Sequence, residues 1–388
     1  MTPIHTFMKE MEQISIMKIS SWVKYASGVT VAAAMLAACS SGGSSSFGPS
    51  GVSANGHSTG VTTLAKLRDA SLTMPHYVQP NVHTDHGQSF ILPDKKKKKG
   101  LLYIGDDSTN DVYVYDYPSG TAAGTLTGFD GPYGECTDTK GDVYIANFDA
   151  GDAVEYGHGG TSILNTYDSG GTPIGCSVDT KGNVAVTSFD PGEITVFAGG
   201  NPAKGTTYTG SCTYIWTAGY DKSDNLIAVG ETSSGGRCYN ALASGGSSLE
   251  SLSFSGTIDF PGGSSYDGTY LGLGDQEANG TFDTGTWRVT LSGTTLTATG
   301  SEVAYTDTCY NTYTDVVNPT FTNGKSAIVG AMPNKKKKKG ANTMIGANLW
   351  CPDGGKGEVG YWAYPAGGAK TGSLSGVSSE PYGQAVSF

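Results

Sequence analysis

Between Leu101 and Phe197 the chain repeats itself at an interval that few folds can absorb. LLYIGDDSTNDVYVYDYPSG…GPYGECTDTKG is followed by DVYIANFDAGDAVEYGHGG…GTPIGCSVDTKG, and the pattern resumes as NVAVTSFDPGEITVFAGG. The glycine pairs that close the third segment of a unit stand at Gly159-Gly160 and Gly199-Gly200, with Ser119-Gly120 one unit earlier, a spacing of 40 residues. Several short β-prone segments per unit at this period are the pattern of propeller blades, in which each unit buries its faces against its neighbours. The 58 glycines and 22 tyrosines among 388 residues suit short strands joined by tight turns rather than helices.

Each unit supplies a segment ending in Asp and a turn (a), an apolar segment (b), and an aromatic-rich segment closed by Gly (c), leaving a fourth (d) before the next unit. Segments of type a begin near 134, 175, 214, 257, 319 and 383, and those of type b near 101, 142, 183, 225 and 270, with either SAIVGA at 326 or MIGANL at 344 as the sixth. The expected fold is therefore all-β: a six-bladed β-propeller with four-stranded antiparallel blades over residues 95–388, seven blades being the alternative. The repeats open with b and end on a, so GQAVSF at 383 is expected to complete the blade begun at Leu101 and close the ring; SFILPD at 89 competes for that place.

The pattern P-x-G-x-x-x-D-x-x-G-x-[VL]-x-[VI] at Pro132 and Pro173 resembles the NHL repeat, and more loosely the gluconolactonase-like and streptogramin-lyase propellers. The resemblance covers roughly residues 100 to 200. It implies the fold but no single function, because such propellers include both binding modules and enzymes. The enzymes converge Glu, Asp and Asn on a divalent metal; Glu135, Asn147 and Asn348 are the residues here that would reach such a place.

The N-terminus reads as an address. From Met17, a possible true start, Lys18 and Lys24 precede a short apolar stretch that ends in Leu36-Ala37-Ala38-Cys39. The apolar part is too short to span a bilayer, which makes residues 1–38 a processed signal peptide. Its last four residues resemble a bacterial lipoprotein lipobox, which implies cleavage before Cys39 and diacylglycerol on its thiol. Ser40 after the lipidated residue implies passage to the outer membrane or cell surface. Residues 40 to 60 are a Gly/Ser-rich tether, and 61–94, with Pro75, Pro80 and Pro93, read as irregular. His83 and His86 flank Asp85 there, two loop histidines or a partial metal site.

Six cysteines follow Cys39, an even number that suits disulfides in an exported chain. Cys212 with Cys238, and Cys309 with Cys351, would tie long loops. Cys136 and Cys176 fall one place out of step when the repeats are aligned on Asp138 and Asp179, so they are expected on opposite faces and not paired.

Formal charge is −11, yet ten of the 24 basic residues lie in Lys95–Lys99 and Lys335–Lys339, so the body is strongly acidic. That excludes the distributed basic surface a nucleic-acid partner requires. In a propeller the b–c and d–a loops share one face, and the acids gather in the b–c loops: Asp107, Asp111, Asp149, Asp152, Asp190, Glu193, Asp275 and Glu277. Their Asp-x-x-Asp/Glu spacing has two readings: a Ca²⁺ or cationic-ligand site built from clustered oxygens, or Asx-type turns. The a–b turns carry Lys140, Lys181, Lys222 and, by alignment, both Lys runs, predicting an opposite, basic face; the runs read as anionic-lipid contacts or as solvated loops. His158, in a turn, and the tyrosines of the c segments are expected to serve structure. The expected function is a monomeric, membrane-anchored binding or scaffolding module for a protein or glycan ligand, with a metal-dependent lactonase- or lyase-like enzyme as the alternative.

Overall fold

The computed structural model of the protein describes residues 87–95, 100–278, 283–306, 310–317, 342–350, 358–375 and 381–388. They form six sheets, each built around four consecutive antiparallel positions from the axis outward. Blade two is Pro132–Thr137, Val143–Asn147, Asp152–Tyr156 and Ile163–Asp168; blade three is Pro173–Val178, Val184–Ser188, Glu193–Phe197 and Gly205–Thr209. Blades four and five have inner strands Tyr214–Tyr220 and Pro261–Tyr266. The innermost strands contact one another in a closed circuit through all six blades.

Ring closure follows the expectation. The C-terminal strand Pro381–Ser387 pairs antiparallel with Leu101–Asp106 as the innermost strand of blade one, Leu101 opposite Ser387 and Ile104 opposite Gln384. Ser387 is fully buried. Its hydroxyl donates to the Gly141 carbonyl and lies 2.6 Å from His158 Nδ1 in the next blade, which gives His158 its structural role. The segment near 89 takes a different place: Phe90–Ile91 pairs with Thr121–Leu126 at the outer edge of blade one. In blade six the inner strand is Tyr310–Val317, paired with Asn342–Trp350, so the sixth b strand begins near 344. The segment at 319 and the alternative at 326 lie outside the described residues.

Packing explains the composition of each strand. The second strands are buried throughout in blades one to five, as in VYIAN and VAVTS, because both sheet faces press on a neighbouring blade. Fourth strands such as ILNTYD and GTTYT are mostly exposed and correspondingly polar. The c-strand aromatics are largely taken up between blades: Tyr156, Phe197, Tyr361, Trp362 and Tyr364 are buried. Between blades five and six, Arg288 Nε and the Tyr364 hydroxyl both donate to Asp267 Oδ2, at 3.1 and 2.9 Å, with the guanidinium 4.3 Å above the Tyr270 ring.

The P-x-G motif has a steric cause. A Cβ on Gly134 would lie 2.5 Å from the Ile174 carbonyl oxygen and 2.9 Å from the Gly175 Cα. On Gly383 it would strike the Tyr133 carbonyl oxygen. Innermost strands of successive blades converge on the axis, and glycine lets their backbones meet. The Asp of the motif builds the a–b turn: Asp138 Oδ1 accepts from the Lys140 and Asp142 amides, and Asp179 Oδ1 from those of Lys181 and Asn183. Asp221 and Asp267 do the same in blades four and five.

Two disulfides are present among the described residues. Cys212–Cys238 is the expected one. Cys136–Cys176 corrects the opposite-face argument. In a ring of stacked sheets the forward face of one blade abuts the rear face of the next, so neighbours of opposite parity are the ones that meet. Cys136 points from blade two toward blade three; its neighbour Glu135 points back toward blade one. Cys309 and Cys351 lie outside the described residues.

Candidate functional site

The candidate site is the face made by the b–c and d–a loops. Its frame is the ladder pair that ends each b–c hairpin: Asp106 opposite Asp111, Asn147 opposite Asp152, Ser188 opposite Glu193, Glu231 opposite Arg237, Asp275 opposite Gly285. In blades one, two, three and five the first member of the pair organises a nearby loop. Asn147 Oδ1 accepts from the Asp130 amide at 2.6 Å, and Ser188 Oγ from the Thr172 amide at 3.0 Å. Asp275 accepts from the amides of Asp259, Phe260 and Glu277 at 2.7 to 3.0 Å. Asp106 Oδ1 receives the Ser108 and Thr109 amides inside its own turn. In blade four Arg237 binds Glu231 and the carbonyls of Ile258 and Asp259.

Several of the acidic residues singled out in the sequence therefore lie in this frame, some through their carboxylates and some through backbone alone. Asp111 is buried at the hairpin end. Asp152 accepts from Asn147 Nδ2 at 3.2 Å; burial pushes its carboxyl above the ordinary range against that hydrogen bond. Asp190 exchanges backbone bonds with Thr172. Burial raises Glu193 and Asp275, the latter despite three amide donors. Glu277 stands beside Asp275 and donates its amide to it. The remaining two come together: Gly131 has oxygens of Asp107 and Asp149 each 3.4 Å from the place a Cβ would take. Asp149 is pushed up by loss of solvent around its carboxyl and by Asp130. Among the described residues no group of three or more His, Cys, Asp or Glu side chains is placed to hold a metal ion.

Beneath these two acids lies a feature the charge pattern does not announce. Tyr382, Tyr133, Phe148, Phe189, Trp216 and Phe260, together with Ile174, form one cluster around the inner strands of blades one to five. Tyr133 stacks on Tyr382 at 4.3 Å and on Phe148 at 4.6 Å, and Phe189 stacks on the half-buried Tyr214 at 5.1 Å. Burial, together with Tyr382, Asp107 and Asp149, holds the Tyr133 hydroxyl far above its ordinary pKa. The signal was in the sequence as Pro132-Tyr133-Gly134 repeated in Pro381-Tyr382-Gly383, and as the aromatic after each b strand at Phe148 and Phe189.

Glu135 and Asn147 do not converge. The Glu135 carboxylate is buried between blades against Gly105 and Gly383, and Asn147 is committed to its loop. Asn348 pairs in the ladder opposite Glu358, its side chain outside the described residues. The opposite face is not uniformly basic. Lys140 lies 3.5 Å from Asp138 and Lys181 3.2 Å from Asp224, because the turns that carry lysine are built on aspartate. Of the Lys runs only Lys95 is described, bound to Asp116 at 3.3 Å.

The described residues contain no helix long and apolar enough to cross a membrane. No family model matches the chain, and no curated protein is significantly similar to it. Among solved structures it is similar to a chain in the crystal structure of a nidogen/laminin complex, with a TM-score of 0.53 and 12% identity, over 74% of this chain and 98% of that one. Virginiamycin B lyase from Staphylococcus aureus matches with a TM-score of 0.41 and 14% identity over 55% of this chain and 68% of the lyase. At such identities the first likeness shows the fold, a β-propeller, and nothing of the chemistry.

Proposed function

We propose that the protein is an extracytoplasmic binding or scaffolding module, anchored through lipid on Cys39 and carried by the tether of residues 40–60, that receives an envelope protein or glycan on its b–c/d–a face. The observation that carries this reading is the approach of Asp107 and Asp149 to Gly131 beside a largely aromatic cluster. Paired carboxylates over aromatic rings favour a ligand that offers positive charge or hydrogen-bond donors beside an apolar face. The two disulfides support an oxidising compartment. The metal-dependent lactonase or lyase reading needs Glu135 at the axis, and its carboxylate is instead enclosed between blades one and two.

The test is capture from solubilised envelope by the full lipidated chain, compared with Asp107→Asn/Asp149→Asn. The double variant is expected to retain at least about tenfold less of the captured partner, a loss of about 1.4 kcal/mol, while melting no lower than the parent. Equal capture by both chains would remove this face from the reading. Metal content measured on the same preparation addresses Ca²⁺ directly: one tightly held metal per chain would favour the enzyme.

A further inference from the structure

Apolar side chains fill most joints between neighbouring blades. Leu101, Val112, Val143 and Ile145 occupy the joint of blades one and two, and Ile227, Val229, Leu271 and Leu273 that of blades four and five. Blades five and six meet differently. Among the described residues their shared core is Tyr305, Trp362 and Tyr364, three rings with polar ends, and the half-buried Val303. Blade five presents the strand Thr284–Ser292 here. Its Trp287 and Val289 pack toward blade four, so Thr284, Thr286 and Arg288 point toward blade six. Tyr305, on Val303–Thr306, stands opposite Thr284 in the ladder and so on the same face. Its ring lies 5.8 Å from that of Trp362, on the blade-six strand Glu358–Tyr364.

Four polar groups are shut inside this seam. Thr284, Thr286, Tyr305 and Trp362 are each 2% exposed or less. The Thr284 hydroxyl and the Trp362 indole N–H make no hydrogen bond, and the hydroxyls of Thr286 and Tyr305 have none beyond one another. Groups enclosed in this way have lost their hydration without replacement. Bonds do cross the seam at two margins. At the a–b end Arg288 and Tyr364 share Asp267 Oδ2, and at the rim Tyr305 and Thr306 pair in parallel with Gly368 and Ala369. Thr284 lies at the opposite, b–c end, next to Gly285, which faces Asp275 where the b–c hairpin ends.

We propose that this seam is the joint at which the ring opens: blade six parts from blade five at the b–c end, hinged on the Asp267 contacts and the rim ladder, and water reaches Thr284, Thr286, Tyr305 and Trp362. Parting an apolar joint exposes hydrocarbon and restores no hydrogen bond. Parting this one rehydrates four polar groups, so opening costs less here than between the other blades. The mouth of the seam is on the b–c/d–a face, so each opening enlarges the surface that face offers. The opening itself requires no ligand.

The indole N–H of Trp362 reports the motion in the unaltered chain. Its exchange with deuterated water, followed by NMR and assigned through Trp362→Phe, is expected to be at least about tenfold faster than that of Trp216, which is enclosed in the aromatic cluster. Thr284→Val/Thr286→Val keeps the shape of both side chains and removes their hydroxyls. It is expected to melt higher than the parent and to slow Trp362 exchange about tenfold. Thr195→Val is the contrast: that hydroxyl bonds the Thr207 hydroxyl at 2.9 Å and the Ser169 carbonyl at 3.4 Å, and its loss should lower the melt. A double variant that melts lower or exchanges faster would show that the seam hydroxyls are satisfied in the closed ring, by enclosed water or otherwise, and would overturn the proposal. So would unchanged exchange in that variant, or a parent Trp362 that exchanges no faster than Trp216.

Discussion

Asp149 and Asp275 show two uses of one residue type in the same kind of loop. Asp275 is fully enclosed and holds three amides, a task that required no charge pattern to recur. Asp149 stands at the surface, near Asp107 and raised by partial loss of solvent and by Asp130. An acid whose folded-state pKa is raised lowers stability when it ionises; that penalty is absent below its unfolded value and complete once the pH has passed the raised one. Asp149→Asn should therefore melt higher than the parent at pH 7, and the advantage should vanish as the pH falls toward about 4. Because the side chain is exposed, the gain is at most about 0.5 kcal/mol; calorimetry across that range checks it, and a gain that grows toward low pH would refute the assignment. The turn aspartates Asp138 and Asp179 were legible because one geometry demands one residue. The hairpin-end position was not, since Asp106, Asn147, Ser188 and Asp275 organise neighbouring backbone with different side chains, and in blade four Arg237 on the opposite strand does so.

Among the elements, the innermost strands carry the most information per residue. Their glycines record contact between backbones, Tyr382, Tyr133, Ile174 and Trp216 line the aromatic cluster, and residues 135 and 136 divide between two blade interfaces. A sequence alignment within one chain compares faces of the same sheet, whereas the bond between Cys136 and Cys176 depends on faces of different sheets. That is why strand order and closure could be read from the repeats while this pairing was misread. The bond closes a loop of about 40 residues, and chain-entropy reasoning gives it about 4 kcal/mol. Cys136→Ser/Cys176→Ser is expected to lower the unfolding free energy by about 3 to 4 kcal/mol, measured by denaturant titration. A change below about 1 kcal/mol would mean that blade packing alone already confines the two strands.

At the level of the whole molecule, six sheets share one circuit and blade one is completed by both ends of the repeat region. Removing residues 381–388 takes away the innermost strand, the Ser387 contacts with His158 and Gly141, and Tyr382 from the aromatic cluster. The truncated chain should lose exchange protection first in Leu101–Asp106, and its single cooperative melt should broaden or split. A parent-like melt would show that the circuit is not the source of cooperativity. Closure also has a consequence in time. The strand Pro381–Ser387 pairs with a segment made some 280 positions earlier, so a chain delivered N-terminus first cannot finish its first blade until that strand arrives. Until then blade one lacks its innermost strand and the circuit of six sheets stays open.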